Sequence, residues 1–280
     1  MGPSLLFVNI LIAFAMMINT LWADDIEPGP FTQQQCVACH KVSHPQLVED
    51  WHKSSHANVK PAVGCHDCHS NKHGNSPSSR QNSTCIRCHG SFNKEAIKSY
   101  ELSKHGIISK IEARQWDWSQ PLADGNYRSP TCAYCHLHDG DHTMGGKKTE
   151  LDPGIEPTIV ESESAMERRI SPCYDCHSPR FAATWFKSGE AMVAIGRMKY
   201  REGAEVAKKI EQLGRKRDIN KADSLLTAMK KKHLQNIRLG IFHQSPDHQW
   251  WHGQPALDGD LLRLKGVLGD LKREKQIDPW

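Results

Sequence analysis

Cysteine placement constrains this chain of 280 residues more than any other feature. All ten cysteines fall into one pattern, used five times: Cys36-Val-Ala-Cys39-His40, Cys65-His-Asp-Cys68-His69, Cys85-Ile-Arg-Cys88-His89, Cys132-Ala-Tyr-Cys135-His136 and Cys173-Tyr-Asp-Cys176-His177. At this composition chance would supply on the order of 0.02 such segments, and the spacing is that of c-type haem attachment. The chemistry explains the spacing. Two thiols add across the two vinyl groups of a porphyrin, and the adjacent histidine is held beneath the ring to ligate iron.

Other uses of Cys-x-x-Cys fit less well. Zinc knuckles pair two such elements or add a distant histidine, and five cannot all pair. A disulfide framework would not place a histidine after every second cysteine. Thioredoxin-like motifs need a βαβ setting, and no strand-rich stretch is visible. The expected cofactor is therefore five covalently bound haem c groups, with His40, His69, His89, His136 and His177 as proximal iron ligands.

Composition agrees. The hydrophobic fraction is 38%, against roughly 45–50% for ordinary soluble domains, and part of it sits in the first 23 residues. The remainder must be disordered or organised around something other than a side-chain core, and stacked haems would serve. A net charge of +4 is too small and too evenly spread to mark nucleic acid as the partner. Leu5–Leu21 is the one long apolar run, which excludes a polytopic membrane protein.

That run, ending at Ala23 before Asp24-Asp25, reads as a signal peptide over residues 1–23. No Lys or Arg precedes it and Leu21 is large for its place, so an N-terminal membrane anchor stays open. Either form puts the haem region outside the cytoplasm, in the periplasm or beyond. Residues 24–180 then form a pentahaem-binding region, and residues 181–280 a helical C-terminal region that contributes a distal ligand.

An internal repeat runs through the haem region. Ten residues after His40 comes Trp51-His-Lys-Ser54-Ser-His56-Ala57, and ten after His89 comes Tyr100-Glu-Leu-Ser103-Lys-His105-Gly106. The offset is 49 residues at every matched position, the mark of a modular array. A weaker copy follows His177, where Trp185-Phe-Lys-Ser188-Gly-Glu190-Ala191 carries glutamate in the place of histidine.

An iron bound by one axial histidine keeps an open position, and a second imidazole closes it into a low-spin electron carrier. His56 and His105 are candidate distal ligands through the repeat. His73 follows the second motif in a Gly- and Ser-rich loop, His142 follows the fourth, and His243 lies in Phe242-His243-Gln-Ser-Pro-Asp of the tail. Rivals are His44, His52, His66, His138, His233, His248 and His252.

The tail carries no motif. A long helix is expected over 179–213, broken by Gly214 and the charged run Arg215–Asp218, with Phe181, Trp185, Met192 and Ile195 on overlapping turns. A second is expected over about 221–239, a short one from Ser245-Pro246-Asp247 with Trp250 and Trp251, and a last one outlined by Leu261, Leu264, Leu268 and Leu271. Between Lys187 and Arg238 stand fourteen Lys or Arg against six Asp or Glu. This is a solvated helix face, or a docking surface for an acidic redox partner or for haem propionates.

The chain resembles the multihaem cytochromes c of the hydroxylamine oxidoreductase group, with their smaller tetrahaem electron-carrier relatives. The Trp51/Ser54/His56/Ala57 element, Gly64-Cys65-His-Asp-Cys68-His69 with His73, Cys132–His136 with His142, and Phe242-His243 with Trp250-Trp251-His252-Gly253 carry the resemblance. It implies a mainly α fold with extensive loops, haems stacked in parallel and perpendicular pairs, and tail helices that cover them or mediate assembly. The full-length enzymes of that group have an open haem bearing a covalent tyrosine, and no tail tyrosine matches that role here.

Two functional classes follow. One is an exported electron carrier with mostly bis-His haems, working between a redox protein donor and acceptor, a membrane quinol-oxidising partner among the candidates. The other is a small oxidoreductase acting on a nitrogen or sulfur oxyanion or a hydroxylamine-type substrate at one open haem, with Glu190 as its mark. The count of distal ligands separates them, and sufficient histidines favour the carrier, with no catalytic residue assigned. A haem-bearing filament subunit, or a smaller homo-oligomer, leaves no distinct signature.

Overall fold

The computed structural model describes residues 29–71, 73, 77–122, 124–143 and 163–276. The expected signal peptide or anchor, residues 1–23, lies outside them. Among the described residues every regular element is helical, as the mainly α reading expects, and no helix is long and apolar enough to cross a membrane.

The motifs shape the haem region. Helix α1 (Gln33–Ser43) contains the first motif, α2 (Pro45–Lys53) and the one-turn α3 (Ser55–Asn58) follow, and α4 (Cys65–Cys68) carries the second. Helix α5 (Asn82–Phe92) contains the third motif, then α6 (Lys94–Glu101) and α7 (Lys104–Glu112) precede α8 (Cys132–His136), the fourth. Helix α9 (Glu163–Tyr174) ends at the fifth. Positions i, i+3 and i+4 share one helical face, so a motif wound as helix presents both thiols and its imidazole on the same side.

Almost nothing apolar is buried there. Among the described residues between 29 and 143, the buried hydrophobic ones are Val48, Trp116 and Tyr127, while Ser54, Ser99, Ser103, Ser109, Ser129 and Thr131 are buried hydroxyls. Trp116, Trp118 and Tyr127 cluster with ring centroids 5.2–5.4 Å apart.

The apolar core belongs to the tail. Helix α10 (Pro179–Leu213) is capped by Ser178, whose Oγ accepts from the Phe181 N–H at 3.3 Å, and stops at Gly214. It packs along α14 (Gln254–Glu274), with α11 (Lys216–Ala228), a π turn at Met229–His233, α12 (Leu234–Phe242) and α13 (Pro246–His252) closing the bundle. Ile210, Met229, Ile237, Leu257 and Leu264 are fully buried at its centre.

One tail helix starts earlier than expected, and α10 packs through a face other than the one carrying Phe181, Trp185, Met192 and Ile195. Phe181, Trp185, Met192 and Ile195 stay 37–52% exposed. The packed face of α10 lies beside them and is rich in glycine: Ala182, Phe186, Gly189, Val193, Gly196 and Gly203 are buried. Gly196 shows why: a Cβ there would meet Leu234 Cδ1 at 2.9 Å and Ile237 Cδ1 at 3.1 Å, so the missing side chain lets α12 lie close. Helix α11 also begins five residues earlier than expected, because Asp218 accepts the Arg215 N–H at 3.2 Å and starts a helix within the charged run.

The tail meets the haem region at α6, against which α12 and α13 pack, and at α9, whose Ile170 packs with Ala182 and Phe186 of α10.

Candidate metal centres

The repeated serine is a helix start. Ser54 Oγ accepts from the Ala57 N–H at 3.2 Å and donates to the Trp51 carbonyl at 2.6 Å. Ser103 does the same with Gly106 at 3.0 Å and Tyr100 at 2.6 Å. Each serine thus caps a helix whose second residue is the repeated histidine, fixing where that imidazole leaves the backbone. The third copy differs. Ser188 lies within α10, where its Oγ donates to the Thr184 carbonyl at 2.9 Å, and Glu190 pairs with Arg169 at 3.4 Å.

Five pairs of imidazoles result. His40 faces His73 with ring centroids 6.2 Å apart, and His56 faces His89 at 6.1 Å. His69 faces His142 at 6.3 Å, His105 faces His177 at 6.2 Å, and His136 faces His243 at 6.5 Å. Each motif histidine is paired once with a histidine from outside the motifs. The rivals make other contacts: His44 also flanks His40, but at 5.5 Å, His52 lies against Trp51, and His66 reaches Cys36 Sγ at 3.5 Å. His138 bonds Asp175 at 3.1 Å, His233 bonds Asp260 at 3.0 Å, and His248 lies 5.0 Å from His252.

The separations test whether these residues suit an iron. Two imidazole–metal bonds of about 2.0 Å and two ring radii of about 1.1 Å span about 6.2 Å between centroids. The five pairs fit that span; the closer His40–His44 and His248–His252 pairs do not. Protonation state fits as well, since a ligating imidazole must be neutral. Burial, ahead of repulsion from neighbouring imidazoles, lowers the pKa of His40, His56, His69, His105 and His136, and takes His243 down to about 4.

The ten thiols are free of disulfides, and those of successive motifs are neighbours. Cys36 lies near Cys65, Cys68 near Cys85, Cys85 near Cys132, and Cys135 near Cys173. The motifs therefore follow one another in space in chain order.

Some residues at these centres escaped sequence reasoning. Ser99 Oγ lies 2.5 Å from His243 Nδ1 and donates its own proton to the Ala96 carbonyl at 2.7 Å, so it accepts from the imidazole. The Nδ1–H thus points at Ser99, leaving Nε2 as the ring's free donor atom. Gln33 and Asn82 also went unnoticed, although both stand three residues before a motif at the same 49-residue offset.

Fold and motifs together define a helical haem-c protein. The family described as seven times multi-haem cytochrome CxxCH matches residues 53–218, more than half of the chain. The chain belongs to that multihaem cytochrome family and binds haem c covalently. A probable nitrite reductase-hydroxylamine oxidoreductase fusion protein of Kuenenia stuttgartiensis is 27% identical over 57% of this chain. The match spans 26% of that relative, about a quarter of its length. A reducing HAO-like protein complex of the same organism superposes with a TM-score of 0.50 at 17% identity, over 87% of this chain and 86% of its own. That likeness is one of fold.

Proposed function

We propose that this is an extracytoplasmic pentahaem electron carrier in which every iron is closed by two histidines. The proposed axial pairs are His40–His73, His69–His142, His89–His56, His136–His243 and His177–His105. One observation carries the reading: each motif histidine faces a second imidazole at 6.1–6.5 Å. Haem c, once bound, supplies reversible one-electron transfer. The chain's own part is to attach, space and enclose the groups. The cysteines fix five sites in a row, so that neighbouring sites communicate without a mobile intermediate. Two imidazoles on each iron would leave no coordination position for a substrate. The ends of the row, at the first and fifth motifs, are where a protein donor and acceptor would dock, a quinol-oxidising membrane partner among them.

Glu190, the sequence mark of an enzyme with an open iron, supports the carrier instead. Its carboxylate turns to Arg169, while His177 faces His105.

Low-temperature EPR of the oxidised holoprotein, with intact mass after acid–acetone extraction, tests the proposal. Five thioether-bound haems and low-spin signals alone are expected. A stoichiometric high-spin haem that binds cyanide would overturn the closed-carrier reading in favour of an oxidoreductase. A mass short of five haems would overturn the count.

A further inference from the structure

The exposed side of α10 has an order of its own. Phe181, Trp185, Ser188, Met192 and Ile195 follow one another at spacings of four, three, four and three residues. An average of about 3.5 is the period of a seam that meets a second helix along its length. All five are exposed, and Met198, at 61% exposed, continues the apolar surface. No charged side chain stands in the seam, and its hydroxyls are satisfied within the helix. Ser188 Oγ donates to the Thr184 carbonyl at 2.9 Å, and Thr184 Oγ1 to the Arg180 carbonyl at 2.8 Å. The opposite face already packs against α12 and α14. A helix apolar on both faces belongs inside a protein or an assembly.

The seam is complementary to itself. Ser188 is its midpoint, with Phe181 and Ile195 seven residues to either side, Thr184 and Met192 four, and Trp185 and Ala191 three. In two antiparallel copies related by a two-fold axis at Ser188, each residue meets its counterpart across the midpoint. Phe181 then meets Ile195, Trp185 meets the small Ala191, and Met192 meets Thr184. The two Ser188 residues let the helices close at the centre. Large is set against small at each level, as interdigitating helices require. The area suits a modest dimer. The exposed parts of Phe181, Trp185, Met192, Ile195 and Met198 amount to about 450 Å² of apolar surface per copy. That exceeds the few hundred Å² most monomers leave bare. With the small residues between them it approaches about 600 Å² per copy, the lower end of specific interfaces. Charge does not oppose the contact, since the chain's net +4 is carried outside the seam.

We propose that this side of α10 is a self-association face, on which a second copy of the chain packs antiparallel about Ser188 in a reversible dimer. The pairing does not depend on how any iron is ligated, so it stands or falls apart from the carrier reading. Phe181 also stacks on His177, with ring centroids 4.9 Å apart, which ties one end of the seam to the fifth motif. Holoprotein is therefore the form to test.

Sedimentation of the holoprotein from about 1 to 100 µM should show the monomer passing to a species of twice its mass. Met192→Glu enters a two-fold contact twice and puts a carboxylate into the apolar seam, so it should weaken pairing at least about tenfold. Ser188→Cys reads the register. Dioxygen, taking up two electrons and two protons, should join two chains by a disulfide at residue 188, and a thiol reductant should release them. Ala183→Cys is exposed on the same helix but about 140° round from Ser188, and it should stay unlinked. If Met192→Glu yields no holoprotein, wild-type sedimentation and the two cysteine variants decide. Holoprotein that stays monomeric at every concentration would overturn the face. So would a dimer that ignores Met192→Glu, or one that links no better at residue 188 than at residue 183.

Discussion

The side-chain oxygen of Gln33, three residues before the first motif, accepts the backbone N–H of Cys65 in the second at 2.7 Å. Asn82 stands 49 residues later and treats Cys132 the same way at 2.8 Å. The aromatic residues of the repeat follow suit. Trp51 donates to the Val63 carbonyl at 3.0 Å and Tyr100 to the Pro130 carbonyl at 2.9 Å, each two residues before the first cysteine of the next motif. Motifs one and two, and motifs three and four, are therefore two copies of one paired unit, locked by the same two hydrogen bonds.

Removing that lock should loosen one pair at a time. Gln33→Ala and Asn82→Ala each leave a part-buried N–H without its acceptor, which costs about 1–3 kcal/mol. The two sites share no partner, so the double variant should lose nearly the sum. Thermal unfolding of the holoproteins measures it; unaltered melting in both single variants would refute the lock.

His56 and His105 close irons under the proposed pairing. Replacing either with Ala should convert one low-spin haem to high-spin and create one cyanide site, without loss of covalent haem. His52, which lies exposed against Trp51, serves as control and should change neither signal. EPR with and without cyanide decides it, and the idea fails if His56→Ala stays wholly low-spin.

Ser99 is a positioning residue for His243. A hydrogen bond from the far ring nitrogen fixes the tautomer and raises ligand basicity. Ser99→Ala should therefore raise the potential of one haem and alter its low-spin g-values, and Ser99→Thr should restore both. A purely packing role would lower the melting temperature and leave the potentials where they were.

Tyr100 makes the second unit sensitive to alkali. Burial comes first in raising its pKa to about 12. Above pH 10 the unfolded chain releases the phenolic proton while the fold retains it, so stability falls as pH rises from about 10 through 12. The loss approaches about 2–3 kcal/mol. Tyr100→Phe should flatten this slope while lowering stability at neutral pH, since the bonds to Pro130 and Asn82 go with the hydroxyl. Denaturant titrations at stepped pH would show an unchanged slope if the tyrosine plays no part.

What the sequence revealed follows from what has fixed spacing. The 49-residue repeat was legible because Cys36–Ala57 and Cys85–Gly106 keep strict register. Its extension was hidden, since Cys65 and Cys132 stand 67 residues apart. The second unit is longer by the stretch that gathers Trp116, Trp118 and Tyr127. The third copy departs for a related reason: Ser188 matches the capping serine in sequence, but a continuous helix through residues 179–213 leaves it nothing to cap. Helical periodicity found the tail helices, yet it favoured large apolar residues. Contact through Gly189, Gly196 and Gly203 instead depends on residues that carry no hydrophobic signal.

The distribution of the core leads to the last prediction. A chain made without haem attachment should not lose structure evenly. The buried face of residues 29–143 is mostly hydroxyls and isolated aromatics, which cannot offset chain entropy of about 1–2 kcal/mol per residue. The bundle of α10 to α14 holds a continuous cluster from Val193 to Leu271, enough apolar burial to keep its helices without haem. Haem-free protein should therefore retain helical circular dichroism from the tail, and limited proteolysis should trim the motifs while sparing a fragment spanning about residues 179–276. In holoprotein the motif region should resist the same protease, because the haem faces supply the missing buried surface. Equal protection of both halves in haem-free protein would show that the haem region carries its own core, and even digestion of both would show that the tail depends on haem as well.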